Sequence, residues 1–249
     1  MEHLPEHRTP LLQNAVPAQT HRSPAPPPLR ACLLSGGESR RMGRDKALLP
    51  HPEGRTWLER TLGLLGQLQL PITLLSRHPR HRALARAWAD SVSGVGTAGA
   101  AALVAIAEPP PWEGPLLALH RLLEHHPGER LLLCPVDMPA LTAAALETLR
   151  SASDAEPGMI QLAHDGCRPQ PLLGVYPAPP DLRRHLSAAV AGGERRLQTW
   201  LEAHPHRMVP LDPRVARNVN RPEEMPWPAA TTRLGDPAAP QPSSRQARP

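Results

Sequence analysis

From Leu29 onward, short apolar runs alternate with longer segments whose apolar residues recur at the helical period. That alternation restricts the chain to an α/β fold: a doubly wound, mostly parallel, Rossmann-like sheet. Leu29–Ser35 reads as a buried strand ending at Gly36-Gly37. Thr56–Gln69 reads as a helix, capped by Thr56 with Glu59 three residues on, and closed before Pro71. Strands follow at Pro71–Ser76, Leu103–Ala107 and Arg130–Cys134, separated by helices near Arg80–Ala89 and over Pro115–His125. A helix at Leu141–Ser151 precedes strands Met159–Ala163 and Gln170–Tyr176, which flank a His164-Asp165-Gly166 turn. Helices near Asp181–Val190 and Arg195–Ala203 lead to a last strand near Met208–Leu211. No internal repeat is visible, so a single domain over 29–225 is expected, with Pro-rich, disordered tails at 1–28 and 226–249.

Composition excludes several classes. At 249 residues the chain can bury a sizeable core. Its net charge is +5, but aromatic residues make up only 2%, too few for a base-stacking nucleic-acid module, so no nucleic-acid partner is expected. No apolar run approaches the roughly 18 residues of a membrane span, and no apolar stretch follows a basic start as in a secretory signal. Cys32, Cys134 and Cys167 are too sparse for a metal or redox pair and read as reduced, buried thiols of a cytoplasmic protein. The modest positive charge favours an anionic small molecule as ligand.

In a doubly wound sheet, ligands sit beyond the carboxyl ends of the strands. The turn after the first strand reads Leu34-Ser35-Gly36-Gly37-Glu38-Ser39-Arg40-Arg41-Met42-Gly43-Arg44-Asp45-Lys46. Its paired glycines let backbone amides approach a phosphate chain. Lys46 is the only lysine among 28 basic residues, the other 27 being Arg. Chance would put one lysine in this window of 13 among 249 positions about 5% of the time, and arginine would have served for surface charge. A compact ammonium suits a phosphate oxygen in a tight site. After the fourth strand comes Cys134-Pro135-Val136-Asp137-Met138-Pro139, where a carboxylate fixed between prolines can hold Mg²⁺ with a nucleotide's phosphates. Two of the three asparagines, Asn218 and Asn220, share one short motif, and the third is Asn14.

These residues carry a family resemblance. LLSGGESRRMGRDKALL is similar to the LAGGxSxRMGxDKxLL signature of the molybdenum cofactor guanylyltransferases, within the larger class of nucleotidyltransferases. The similarity continues through Gly114-Pro115-Leu116, Asp137-Met138-Pro139, His164-Asp165-Gly166, Gly192-Gly193-Glu194-Arg195-Arg196 and Asn218-Val219-Asn220-Arg221-Pro222-Glu223-Glu224. The resemblance implies transfer of GMP from GTP to the terminal phosphate of molybdopterin or Mo-molybdopterin, with release of pyrophosphate. It further implies that Leu34, Ser35, Gly36, Gly37, Lys46, Glu108, Gly114 and Asp137 line the nucleotide, that Asp137 binds Mg²⁺, and that Lys46, Asp137 and Arg41 assist the chemistry. Arg195, Arg196, Asn218 and Asn220 would bind the acceptor, and a molybdoenzyme or cofactor-insertion protein would receive the product. Two departures stand out. Glu108 matches a family Asp associated with guanine only loosely, and Leu74-Leu75-Ser76-Arg77 lacks an Asn found after the second strand in the family.

Other signals are weaker. Gly94-Val95-Gly96-Thr97-Ala98-Gly99 fits GxGxxG but follows no convincing strand. The thirteen histidines, His78/His81 and His125/His126 among them, lack a completing carboxylate or cysteine cluster and read as solvated surface residues. Arg77, Arg80, Arg82 and Arg86 read as a solvated helix face. The competing functions are transfer of CMP to molybdopterin, another small-molecule nucleotidyltransferase, and a non-catalytic nucleotide-binding protein of this fold.

Overall fold

In the computed structural model, which describes residues 25–93 and 102–227, the strands are β1 (Leu29–Leu34), β2 (Ile72–Ser76), β3 (Leu103–Ala107), β4 (Arg130–Pro135), β5 (Ile160–His164), β6 (Pro169–Tyr176) and β7 (His206–Pro210). They form one sheet in the order β3-β2-β1-β4-β6-β5-β7. Among these strands only β6 runs against its neighbours, β4 and β5. The helices are α1 (Trp57–Gln67), α2 (Pro79–Ser93), α3 (Pro115–His125), α4 (Ala143–Ala155), α5 (Pro180–Ala191) and α6 (Leu197–Glu202). No helix among the described residues is long and apolar enough to cross a membrane.

The central strands are continuous apolar runs because both of their faces are covered. Ala31 and Leu33 of β1 pack with α1, α2 and α4, whereas Cys32 between them faces the other core, with α3, α5 and α6. Leu132 and Cys134 of β4 alternate with Leu131 and Leu133 in the same way. Strand order reverses between β1 and β4, a switch point that opens a crevice at their carboxyl ends.

Thr56 caps α1 as its sequence predicts: its hydroxyl accepts from the Glu59 amide at 3.2 Å, and the Glu59 carboxylate accepts from the Thr56 amide at 2.9 Å. The Thr56 hydroxyl, donating to the same carboxylate at 2.6 Å, and the Thr56 amide hold the Glu59 carboxyl below its usual range. The expected start of α6 at Arg195 shifts to Leu197, because the Glu194 carboxylate accepts the amides of Arg195 and Arg196 and keeps both residues out of the helix. The cysteine expectation holds for Cys32 and Cys134, but Cys167 is exposed, since it sits at the hairpin tip between β5 and β6. The Gly94–Gly99 motif, Asn14 and most of both Pro-rich tails lie outside the described residues.

Two outcomes follow from this packing. Thr56→Ala lowers stability by about 1 kcal/mol in denaturant titration, the usual cost of a lost cap. Burial, with Asp137 nearby, pushes the Cys134 thiol up to about 12, and burial raises that of Cys32 as well. A thiol reagent at pH 8 therefore titrates one cysteine in the folded chain, Cys167, and all three in denaturant.

Candidate active site

The crevice is built from the two turns that leave β1 and β4. Their starts are tied together by the Val136 amide donating to the Leu34 carbonyl at 3.3 Å. The first turn then folds back on itself. Ser39 and Gly43 take left-handed backbone conformations, with φ of 52° and 67°, and Ser39 Oγ accepts from the Lys46 amide at 3.1 Å. Asp45 Oδ1 accepts from the Ala47 amide at 3.1 Å, capping a short 3-10 turn, Lys46–Leu48. This local geometry turns the Lys46 side chain inward.

There the ammonium meets three oxygens: Asn220 Oδ1 at 2.8 Å, Asp137 Oδ2 at 3.0 Å and the Val219 carbonyl at 3.1 Å. Each of its three N–H groups has an acceptor. Asn220 is itself fixed, since its amide donates to the Glu224 carboxylate at 2.6 Å, a bond that with the Arg221 amide holds the Glu224 carboxyl below its usual range. Val219 is buried beside Met42 and Trp57, which pins the C-terminal segment across the loop.

A cavity of about 320 Å³ opens above this point. Leu34, Ser35, Gly36, Gly37, Lys46, Glu108, Gly114 and Asp137 all line it, so the structure brings together every residue that the sequence motifs place beside a nucleotide. Glu108 projects from the end of β3, held by Arg121 at 3.0 Å, and its other carboxylate oxygen lies 2.6 Å from where a side chain on Gly36 would begin. A side chain at this position would make that carboxylate shift. Gly114 is constrained in a similar way: its φ is 102°, and a Cβ at this position would stand 2.9 Å from the Arg195 carbonyl oxygen. A second, shallower cavity of about 270 Å³ shares Lys46 with the first and is lined by Arg41 and Asn220.

The remaining acceptor-side residues lie outside both linings. Arg195 is engaged by Glu113 at 2.6 Å and the Val190 carbonyl at 2.8 Å, and it braces the turn before α3. Arg196 is exposed. Asn218 donates to Gln170 at 2.8 Å, and Gln170 in turn donates to Asp165 at 2.6 Å, which joins the asparagine motif to the His164-Asp165-Gly166 turn.

The expectation of solvated histidines is corrected at two positions. His81 is 1% exposed and lines the cavity, and His51 is buried beneath Trp227. Burial lowers the His51 pKa, as does Arg60. For His81 a signal is available: His81, Ala85 and Trp88 fall at i, i+4 and i+7, the inward face of α2. Sequence reasoning also misses the cavity mouth, where the Arg77 guanidinium lies 5.0 Å from the Trp112 ring centre and 3.3 Å from Glu38. Among the described residues no group of three or more His, Cys, Asp and Glu could enclose a metal ion. Asp137 can hold one from a single side, because its Oδ1 makes no hydrogen bond among the described residues while Oδ2 faces Lys46.

Residues 31–208 match the family described as MobA-like NTP transferase domain. A probable molybdenum cofactor guanylyltransferase of Rhodopirellula baltica is 32% identical over 229 residues, covering 89% of this chain and 100% of that one. A protein of the same description from Mycobacterium tuberculosis is 34% identical over 200 residues, covering 78% of this chain and 89% of that one. Among solved structures, molybdopterin-guanine dinucleotide biosynthesis protein A of Archaeoglobus fulgidus superposes with a TM-score of 0.53 at 20% identity, covering 78% and 93% of the two chains. A 4-diphosphocytidyl-2C-methyl-D-erythritol synthase of Anaerococcus prevotii superposes with a TM-score of 0.59 at 10% identity, covering 79% and 92%. Both structures share the fold.

Gly36→Ala tests the cavity's shape. The added methyl displaces the Glu108 carboxylate, the far end of a flexible side chain, and so reshapes the cavity at little cost to stability. Nucleotide affinity measured by calorimetry should fall roughly tenfold or more, with the melting temperature little changed, because the loop lies outside both cores.

Proposed function

This chain belongs to the molybdenum cofactor guanylyltransferases, within the family of MobA-like NTP transferase domains, and from that premise we propose that its cavity binds GTP and passes GMP to the terminal phosphate of molybdopterin or Mo-molybdopterin. The observation that carries the reading is the placement of Lys46, whose ammonium reaches Asp137 and Asn220 at the inner wall of the cavity.

The acceptor's phosphate oxygen attacks the α-phosphorus of GTP in line. One P–O bond forms as the bond to the β-phosphate bridging oxygen breaks, and the electron pair leaves with pyrophosphate. The nucleophile belongs to the acceptor, so the protein's work is positioning and charge neutralisation. Lys46 serves as a fixed positive point charge, oriented before the nucleotide arrives and needing no reorganisation during transfer. The backbone of Ser35, Gly36 and Gly37 follows the nucleotide, and Glu108 faces the base. Arg41, beside Lys46 in the second cavity, neutralises the phosphate tail.

Mg²⁺ fits the donor set: a hard, hydrated cation is commonly held by one or two carboxylates together with substrate phosphates, and Asp137 supplies such a carboxylate. When bound, it adds charge stabilisation at the phosphates. Asn220, Arg196, Arg195 and Asn218 serve the acceptor side, the last two by holding their loops, since their polar groups are already engaged. The unpaired cysteines favour a reducing compartment such as the cytoplasm, where a molybdoenzyme or insertion protein would take the product.

The decisive measurement is magnesium-dependent transfer of label from GTP to molybdopterin, with CTP and ATP as controls. Transfer from GTP alone is expected, and transfer from CTP alone would make the chain a cytidylyltransferase. Lys46→Ala and Asp137→Ala each lower the rate roughly 10²-fold or more. Lys46→Arg recovers little of it, because a planar guanidinium cannot present one nitrogen to three converging oxygens. Near-normal rates in either alanine variant overturn the site assignment.

A further inference from the structure

We propose that His81 is the positioning residue of the nucleotide loop: a buried imidazole that joins the loop's first residue to its last and so sets where Lys46 stands. The inference rests on the guanylyltransferase reading of the cavity. It begins with an oddity of α2, whose first turn sends a histidine, 1% exposed, beneath the loop.

One ring nitrogen, Nδ1, lies 2.8 Å from the Ser35 carbonyl, where the loop leaves β1. The other, Nε2, lies 2.8 Å from Asp45 Oδ2, where the loop ends. A flat, rigid ring thus spans the two ends of an eleven-residue excursion whose middle is largely exposed. Ser76 reinforces the first contact by donating to the same Ser35 carbonyl at 3.0 Å. The second contact is transmitted further. The Asp45 carboxylate held by His81 through Oδ2 accepts the Ala47 amide through Oδ1, and this cap starts the turn that aims Lys46 at Asp137.

A histidine that merely filled space could be replaced by an apolar residue of similar volume at the cost of packing alone. Here the replacement has a different consequence. The Asp45 side chain is 35% exposed, so water can take the place of the imidazole and the fold survives. What disappears is the fixed direction of the carboxylate, and with it the fixed position of Lys46. Displacements near 1 Å at a reacting centre can cost roughly 10²-fold in rate.

The test uses the full chain and three variants. His81→Leu removes both contacts. His81→Asn keeps an amide near Nδ1 that can donate to Ser35, and His81→Gln keeps one near Nε2 that can donate to Asp45. For GMP transfer, His81→Leu is expected to lower kcat/KM roughly 10²-fold, chiefly in kcat, and Gln is expected to restore more of it than Asn, because Asp45 is the end that carries Lys46. Tryptic cleavage at the exposed Arg40, Arg41 and Arg44, followed by mass spectrometry, is expected to be several-fold faster in His81→Leu than in the wild type. His126→Leu, which breaks a 2.9 Å bond to Thr73 toward the other end of β2, is the control for general destabilisation and should change neither readout. If His81→Leu does not fold, the Asn and Gln variants carry the comparison. Wild-type kcat/KM within about twofold, or wild-type cleavage of the loop, overturns the proposal. A wild-type chain that transfers no GMP overturns the guanylyltransferase reading instead, and the cleavage rates then decide the clamp by themselves.

Discussion

A single ammonium holds the centre of this molecule. Lys46 Nζ bonds to groups 91, 173 and 174 positions away in sequence, and through them joins the loop after β1, the turn after β4 and the C-terminal segment. Each partner is an oxygen and each N–H has its own, so the partly buried charge is neutralised by Asp137 and its donors are satisfied. Loss of any one partner would leave that charge less well compensated. The arrangement depends on β1 and β4 being parallel neighbours, and on Met42, Trp57 and Val219 packing together to press the C-terminal segment against the loop.

Around that point the sheet supplies rigidity and the loops supply chemistry. Apolar residues on both faces of β1 and β4 fix the crevice at the reversal of strand order. The turn before α3 is braced from the far side, with the Arg195 carbonyl close against Gly114 and the Arg195 guanidinium tied to Glu113. An arginine that the family resemblance assigns to the acceptor thus braces the cavity wall instead. Opposite it, Glu108 reaches over Gly36, so the shape of that end of the cavity depends on a glycine just past β1 and a carboxylate just past β3.

The elements are legible because their signals are local. Leu103–Ala107 and Pro115–His125 appear with the bounds that periodicity and proline placement predict, and the capping box at Thr56 forms as its spacing requires. The cavity residues are legible for a different reason: a glycine pair, the only lysine and a proline-flanked aspartate stand out in an arginine- and proline-rich chain, and they recur in a family pattern. Other features depend on neighbours, some of them distant in the chain. His81 reads as a surface residue because its charge-bearing ring gives no apolar signal, although its helix face points inward. The start of α6 moves because a glutamate side chain captures two amides, and Cys167 is exposed because a hairpin tip carries it outward.

The amino-acid sequence by itself determined the fold class, the order of the elements, the two turns that carry the site and the family whose motifs they match, because period, capping and motif spacing act over a few residues at a time. Only the tertiary structure decided which oxygens meet the Lys46 ammonium, which arginine braces a turn rather than facing the cavity, and which histidine lies beneath the loop. Those contacts join residues far apart in the chain. They exist only once both faces of the sheet are covered and the desolvated polar groups must find partners within reach.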